Sequence, residues 1–110
     1  MNWNTLTSEI QLQQLTEHSF KKPQVIFKHS TRCGISSMVK TRLERTFQPA
    51  NIDFYLLDLL AHRPLSFKVA EVFKTEHESP QILLIKNGIC VYDESHSGIN
   101  MTEIVEKSIH

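Results

Sequence analysis

Residues 23–39, PQVIFKHSTRCGISSMV, contain the change of pattern on which the fold turns. Pro23 closes the segment before it, and Val25, Ile26 and Phe27 form a short continuous apolar run, as in a strand buried on both faces. That run ends at Lys28 or His29. From Gly34 the period changes. Ile35, Met38, Val39, Leu43 and Phe47 sit three and four residues apart, with Lys40, Arg42, Glu44 and Arg45 on the other side, which predicts an amphipathic helix ending before Pro49. Cys33 lies at the junction of strand and helix.

Working outward, the stretch from Ser8 to Phe20 carries Ile10, Leu12, Leu15 and Phe20 among polar residues, and Ser8 with Gln11 fits a capping box, so a helix precedes the strand. Ile52 to Leu57, IDFYLL, is β-branched and aromatic enough for a second strand. From Pro64, which suits a first helical turn, Leu65, Val69, Val72 and Phe73 recur at helical spacing. Two apolar runs follow, Ile82 to Ile85 and Ile89 to Tyr92, joined by Asn87-Gly88, which favours a type I′ turn and an antiparallel hairpin. Asn100 and Glu103 then start a last short helix with Ile104 and Val105 on its apolar side. The expected order is αβαβαββα, an α/β fold with a four-stranded mixed sheet flanked by helices, in one domain spanning residues 1–110. Ligands of such sheets gather outside the carboxyl ends of the parallel strands, the edge where Cys33 lies.

Composition removes several function classes. At 110 residues and 40% hydrophobic, the chain has the size of one small core. Twelve Lys and Arg balance twelve Asp and Glu, so no polyanion partner such as nucleic acid is expected, and no apolar run reaches the ~20 residues of a membrane span. The start, MNWNTLTSEIQLQQ, has neither the basic nor the apolar region of an export signal, which leads to the expectation of a cytoplasmic protein. Two cysteines are too few for a disulfide scaffold, and the six histidines are scattered without zinc-ligand spacing, so no metal site is expected.

The order of elements, the Cys-x-x-Ser of residues 33–36 and Ser79-Pro80-Gln81 before the hairpin resemble the thioredoxin fold, whose members carry a cis-proline opposite the reactive cysteine. More closely, FKHSTRCGISSM, HESPQILLIKNG and the following SHSGI resemble the YtxJ family of bacillithiol-system redox proteins, the monothiol bacilliredoxins, from Trp3 to about Ile104. That family commonly has proline or serine after the cysteine. Here the residue is Gly34, which brings the motif nearer to the Cys-Gly-Phe-Ser of monothiol glutaredoxins that handle iron-sulfur clusters.

By position alone Cys33 is either a small buried side chain or a reactive thiol, and the strand-to-helix context with Ser79-Pro80-Gln81 downstream favours the second. A thiol at a helix N-terminus faces unpaired N–H groups and the positive end of the helix dipole, which favour the thiolate; Lys28, His29 and Arg32 are expected to add to this. Ser36 cannot form the second disulfide that a Cys-x-x-Cys site makes, so the chemistry stops at the mixed disulfide. Ser36 is either a hydrogen-bond donor to the Cys33 sulfur or a plain helix-surface serine. Cys90 begins the strand after the Asn-Gly turn, ~17 Å of strand away from the Cys33 end and far beyond the ~7 Å limit for a disulfide, so it is read as structural. Pro80 should sit beside Cys33, and His96 and Ser97 should return to the same end, His96 being otherwise a surface-loop histidine. The buried acid of thioredoxins matches Phe27 here, leaving proton transfer to solvent, His29 or the substrate.

The expected catalytic residue is Cys33, with Thr31, Arg32, Ser36, Ser79, Pro80 and His96 in contact with substrate. The resemblance implies a low-molecular-weight thiol, bacillithiol, as cosubstrate rather than a permanently bound cofactor, and S-thiolated client proteins as partners. Two alternatives stand beside this reading: a module that binds an iron-sulfur cluster between two chains, and a thioredoxin-like interaction domain without turnover. Against the first, YDESHSGIN lacks the Gly-Gly-Asp type of signature with which glutaredoxins hold glutathione.

Overall fold

A three-residue strand, β1 (Trp3–Thr5), precedes every element that the sequence pattern announces. The computed structural model describes residues 1–109, and in chain order the remaining elements are α1 (Glu9–His18), β2 (Gln24–His29), α2 (Gly34–Glu44), β3 (Asp53–Asp58), α3 (Arg63–Phe73), β4 (Gln81–Lys86), β5 (Ile89–Ser95), a single 3₁₀ turn (His96–Gly98) and α4 (Met101–Ile109). The sheet therefore has five strands, in the order β1-β3-β2-β4-β5, where the sequence predicts four. A strand of three residues with one apolar side chain has too little pattern to be read, and β1 exists because its register on β3, Trp3 beside Phe54, extends the parallel ladder.

Local chemistry sets the boundaries. The Ser8 hydroxyl accepts from Gln11 N–H at 3.2 Å, while the Gln11 side-chain Oε1 turns back to accept from Thr7 N–H at 2.8 Å, a capping box displaced by one residue. The helix it starts ends at His18, short of Phe20, and Ile10 and Phe20 are mostly exposed, contrary to the expected apolar face. In α2 the buried positions are Ser36, Val39 and Leu43, whereas Ile35 and Met38 face solvent; the helix ends at Glu44, short of the expected Phe47, which lies exposed beyond it. Pro64 occupies the first turn of α3 as expected, although Val72 is exposed. Asn87 and Gly88 both take positive φ (53° and 80°), as a type I′ turn requires, and pair Lys86 with Ile89. Asn100 Oδ1 accepts from Glu103 N–H at 2.9 Å at the start of α4.

The sheet separates two apolar layers. Phe27, Val39, Leu43, Phe54 and Ile104 belong to the layer under α2 and α4, and Leu12, Leu15, Ile26, Val69 and Leu83 to the layer under α1 and α3. β2 pairs with β3 in parallel and with β4 antiparallel, so its residues alternate between the layers along a strand with no exposed edge. Among the described residues no helix is long and apolar enough to cross a membrane.

The edge strand is anchored by Trp3, whose ring stacks on Phe27 (centroids 5.6 Å apart) and meets Phe54 edge-on at 6.1 Å, while its indole N–H donates to Glu44 at 2.8 Å. Trp3→Ala is expected to destabilise the protein by about 2–3 kcal/mol, measured as a lower urea midpoint by circular dichroism. An unchanged midpoint would show that β1 adds nothing to the sheet.

Candidate active site

Cys33 is the N-cap of α2, in extended backbone (φ −103°, ψ 118°), and its side chain makes no capping bond. Its amide donates to Ser30 O at 3.1 Å, and Ser37 N–H, at 3.0 Å from Cys33 O, is the first amide of the helix with an intrahelical partner. The N–H groups of Gly34, Ile35 and Ser36 are thus the orphan donors of the helix start, gathered at the positive end of its dipole. The partly exposed Cys33 thiol sits at this end.

Ser36, three residues on, is completely buried. Its Oγ accepts from Ser30 N–H at 3.0 Å and lies 2.6 Å from His29 Nδ1, and among the described residues no hydrogen bond joins it to the Cys33 sulfur. Ser36 is therefore not a surface contact for substrate: it supports the turn on which Cys33 stands. His29 is buried as well, its ring stacked on Phe27 at 5.7 Å. Burial holds its pKa below 6.5, reinforced by Lys40 and opposed by Asp58 and Glu44. The imidazole is neutral at pH 7, and in the tautomer with its proton on Nε2 the Ser36 hydroxyl donates a hydrogen bond to Nδ1. Phe27 fills the place of a buried acid with an apolar ring that is wholly within the core.

The other wall is the turn into β4. The Ser79–Pro80 peptide is cis. One further step of the β2·β4 register, in which Lys28 faces Gln81, brings Pro80 alongside His29 at the Cys33 end of the sheet. Pro80 O accepts from His96 N–H at 2.9 Å, which returns the exit of β5 to that end. His96 is exposed, with φ +58° and its Nε2 3.3 Å from Glu78 Oε2. The Arg42 guanidinium of α2 donates to Ser97 O at 2.8 Å and to Ile99 O, tying the 3₁₀ turn to the helix that carries Cys33. Among the described residues the main-chain N–H and C=O of Ser79 have no partner, which leaves a short backbone edge open. Thr31 and Arg32 are exposed on the loop leading to Cys33. One end of the sheet thus gathers Thr31, Arg32, Cys33, Ser79, Pro80 and His96, with Ser36 beneath them.

One residue departs from the sequence reading and another follows it. Lys28 does not support the thiol: it is in phase with Ile26, points into the α1/α3 layer and is wholly buried. Its Nζ donates to His77 Nδ1 at 3.2 Å, and burial lowers its pKa from 10.5 to about 8. His77 has no motif around it, and only its place in the folded chain shows its partner. Cys90 lies at the opposite end of the sheet, facing Ile85, with its S–H donating to Tyr92 O at 3.3 Å. No group of three or more His, Cys, Asp or Glu residues suited to a metal ion occurs among the described residues.

A protein-family model described as monothiol bacilliredoxin BrxC matches residues 4–104. The chain belongs to the monothiol bacilliredoxin family. Among solved structures, one described as a proposed oxidoreductase with a thioredoxin fold superposes with a TM-score of 0.82 at 29% identity, covering 94% of this chain and 90% of that one. Thioredoxin of Malassezia sympodialis (TM-score 0.76, 20% identity, 99% and 90% covered) and that of Fasciola hepatica (TM-score 0.74, 19% identity, 96% of both) share the fold. The bacilliredoxin match and the thioredoxin-like fold together give the chain a thiol redox role.

Burial pushes the Cys90 thiol up to about 11, so at pH 8 only about one Cys90 in a thousand is a thiolate. Alkylation of Cys90 by iodoacetamide, followed by peptide mass spectrometry, is expected to rise about tenfold per pH unit from pH 8 to 10. Rapid labelling of Cys90 at pH 8 would contradict its burial.

Proposed function

We propose that this chain is a thiol-disulfide oxidoreductase that removes bacillithiol from S-thiolated client proteins through Cys33. The observation that carries the reading is a single thiol at the start of α2, at the same sheet end as the open Ser79–Pro80 edge, with a hydroxyl in place of a second thiol. The Cys33 thiolate attacks the bacillithiol sulfur of the client's mixed disulfide. The client–bacillithiol S–S bond breaks as the Cys33–bacillithiol S–S bond forms, and the client sulfur leaves as a thiolate that takes a proton from water. Ser36 cannot attack the new disulfide, so a second thiol, from a small-molecule or dithiol reductant, must release bacillithiol and restore Cys33.

In this reading the orphan amides of Ile35 and Ser36, the two that an N-cap side chain can reach, are the donors that face the sulfur during attack. The unpaired main chain of Ser79 receives the extended client segment, as an open strand edge does. Thr31, Arg32 and His96 flank the sulfur and contact the small thiol. Bacillithiol is a cosubstrate, no resident cofactor takes part, and the cytoplasm is the site of action. Cys33→Ser is expected to abolish release of bacillithiol from a thiolated client, and Cys90→Ser to keep the wild-type rate within about twofold, both followed by intact mass. Full activity in the Cys33 variant would sink the proposal.

Gly34 gives the cluster-bridging alternative no support of its own. A Cβ at this position meets nothing within 4 Å, and the residue is the first of α2, where proline is well suited. Gly34→Pro is expected to fold with unchanged or slightly raised stability and to retain bacillithiol release. Complete loss of activity in a folded Gly34→Pro protein would show that the glycine itself has a role.

A further inference from the structure

The segment Thr75–Ser79 leads from α3 into the cis Ser79–Pro80 edge, and most of its bonds are to its neighbours in sequence. Thr75 N–H donates to Ala70 O at 3.0 Å, Glu78 N–H to the Gln81 side chain at 3.2 Å, and the Gln81 amide to Glu76 O at 2.9 Å. Among the described residues one hydrogen bond ties the segment to the strand leading to Cys33, that from Lys28 Nζ to His77 Nδ1. We propose that Lys28 and His77 form a clasp that positions the Ser79–Pro80 edge for a client chain, and that protonation of His77 opens it. The role given to this edge rests on the reading of Cys33 above.

A wholly buried lysine in phase with Ile26 is a poor choice for packing alone, since an apolar side chain of similar volume would avoid desolvating an ammonium. Among the described residues the ammonium has three protons and one acceptor, while Thr75 Oγ1 and Ser79 Oγ, on the segment it holds, are buried without partners. The segment therefore has unused polar atoms with which to adopt a second arrangement once the clasp is released. That arrangement would move the edge without unfolding the sheet.

The direction of the pH response follows from the groups facing His77. Lys28 approaches from β2, Arg63, Ser66 and the Phe67 ring from α3, and Glu78 is its neighbour, itself within reach of His96. Nδ1 accepts from Lys28 and lies 3.3 Å from the Ser66 hydroxyl, so a proton added there faces the Lys28 ammonium and breaks its hydrogen bond, with the Ser66 oxygen left as the acceptor. Burial, then Lys28 and Arg63, hold the His77 pKa below 6.5 against Glu78. The clasp is closed above 6.5 and is lost as pH falls through the lowered value. Toward alkaline pH Lys28 loses a proton near 8, and the amine still donates.

His77→Gln keeps an acceptor and removes the titration, while Lys28→Met removes the donor and is expected to melt no lower than wild type. Two readouts separate positioning from stability: hydrogen exchange of the Glu78 amide, corrected for intrinsic pH dependence, and the rates of Cys33 with a peptide mixed disulfide and with dithiodipyridine. On acidification from about pH 7.5 to below the point at which the His77 ring protons titrate, followed by NMR, the wild-type Glu78 amide should exchange about tenfold faster, His77→Gln should stay flat and Lys28→Met should be fast throughout. Lys28→Met should react about tenfold more slowly with the peptide and at the wild-type rate with dithiodipyridine. A flat wild-type exchange profile, or an acid acceleration surviving in His77→Gln, overturns the clasp. A wild-type protein that ignores the peptide disulfide overturns the reading of Cys33, and the exchange profiles then decide the clasp separately.

Discussion

β2 is hydrogen-bonded along both edges, to β3 in parallel and to β4 antiparallel, and all six of its residues are buried. Its end is closed by Leu59 N–H, which donates to His29 O at 2.8 Å and ties the exit of β3 to it. With His29 held in this way, only Ser30, Thr31 and Arg32 remain to reach the start of α2. A right-handed crossover to the parallel neighbour then leaves that start at the carboxyl edge of the sheet. The place of Cys33 is thus a consequence of the central strand more than of the loop that carries it.

The same pairing explains what could be read from the residues. Val25 to Phe27 announce a strand covered on both faces, and the change of period at Gly34 announces the helix, so the position of Cys33 follows from local pattern. Asn87-Gly88 sets the hairpin register, which places Cys90 at the far end and brings His96 back. Three features have no local signal. β1 is too short to show alternation and depends on β3 for its hydrogen bonds. The exposure of Ile35 and Met38 depends on which side of α2 meets Phe27 and Phe54. The partnership of Lys28 with His77 joins residues far apart in sequence and is visible only once the chain has folded.

Lys28 and His29 are adjacent in sequence yet do different work, because alternation sends them into opposite layers. His29 enters the α2/α4 layer, where an aromatic stack of Trp3 and Phe27 covers it and Ser36 meets its Nδ1. Lys28 enters the α1/α3 layer, where His77 meets its Nζ. Each brings a polar head into an apolar environment, where a lost partner is costly. Each partner belongs to an element that forms the site: α2 for His29, the turn into β4 for Lys28. Polar groups at the end of β2 therefore link the central strand to both walls.

Ser36 bears on the one-thiol chemistry through structure as well as through reactivity. Its oxygen accepts from Ser30 N–H and stands 2.6 Å from His29 Nδ1, distances that suit a hydroxyl. A sulfur at this position is a weaker acceptor and needs longer bonds, so a second thiol would loosen the turn that sets the Cys33 backbone while adding a competing nucleophile. Buried below the surface, the hydroxyl also leaves a disulfide on Cys33 free of internal attack. Under the proposed function the mixed disulfide is then the stopping point of the site, and its release falls to a thiol arriving from outside.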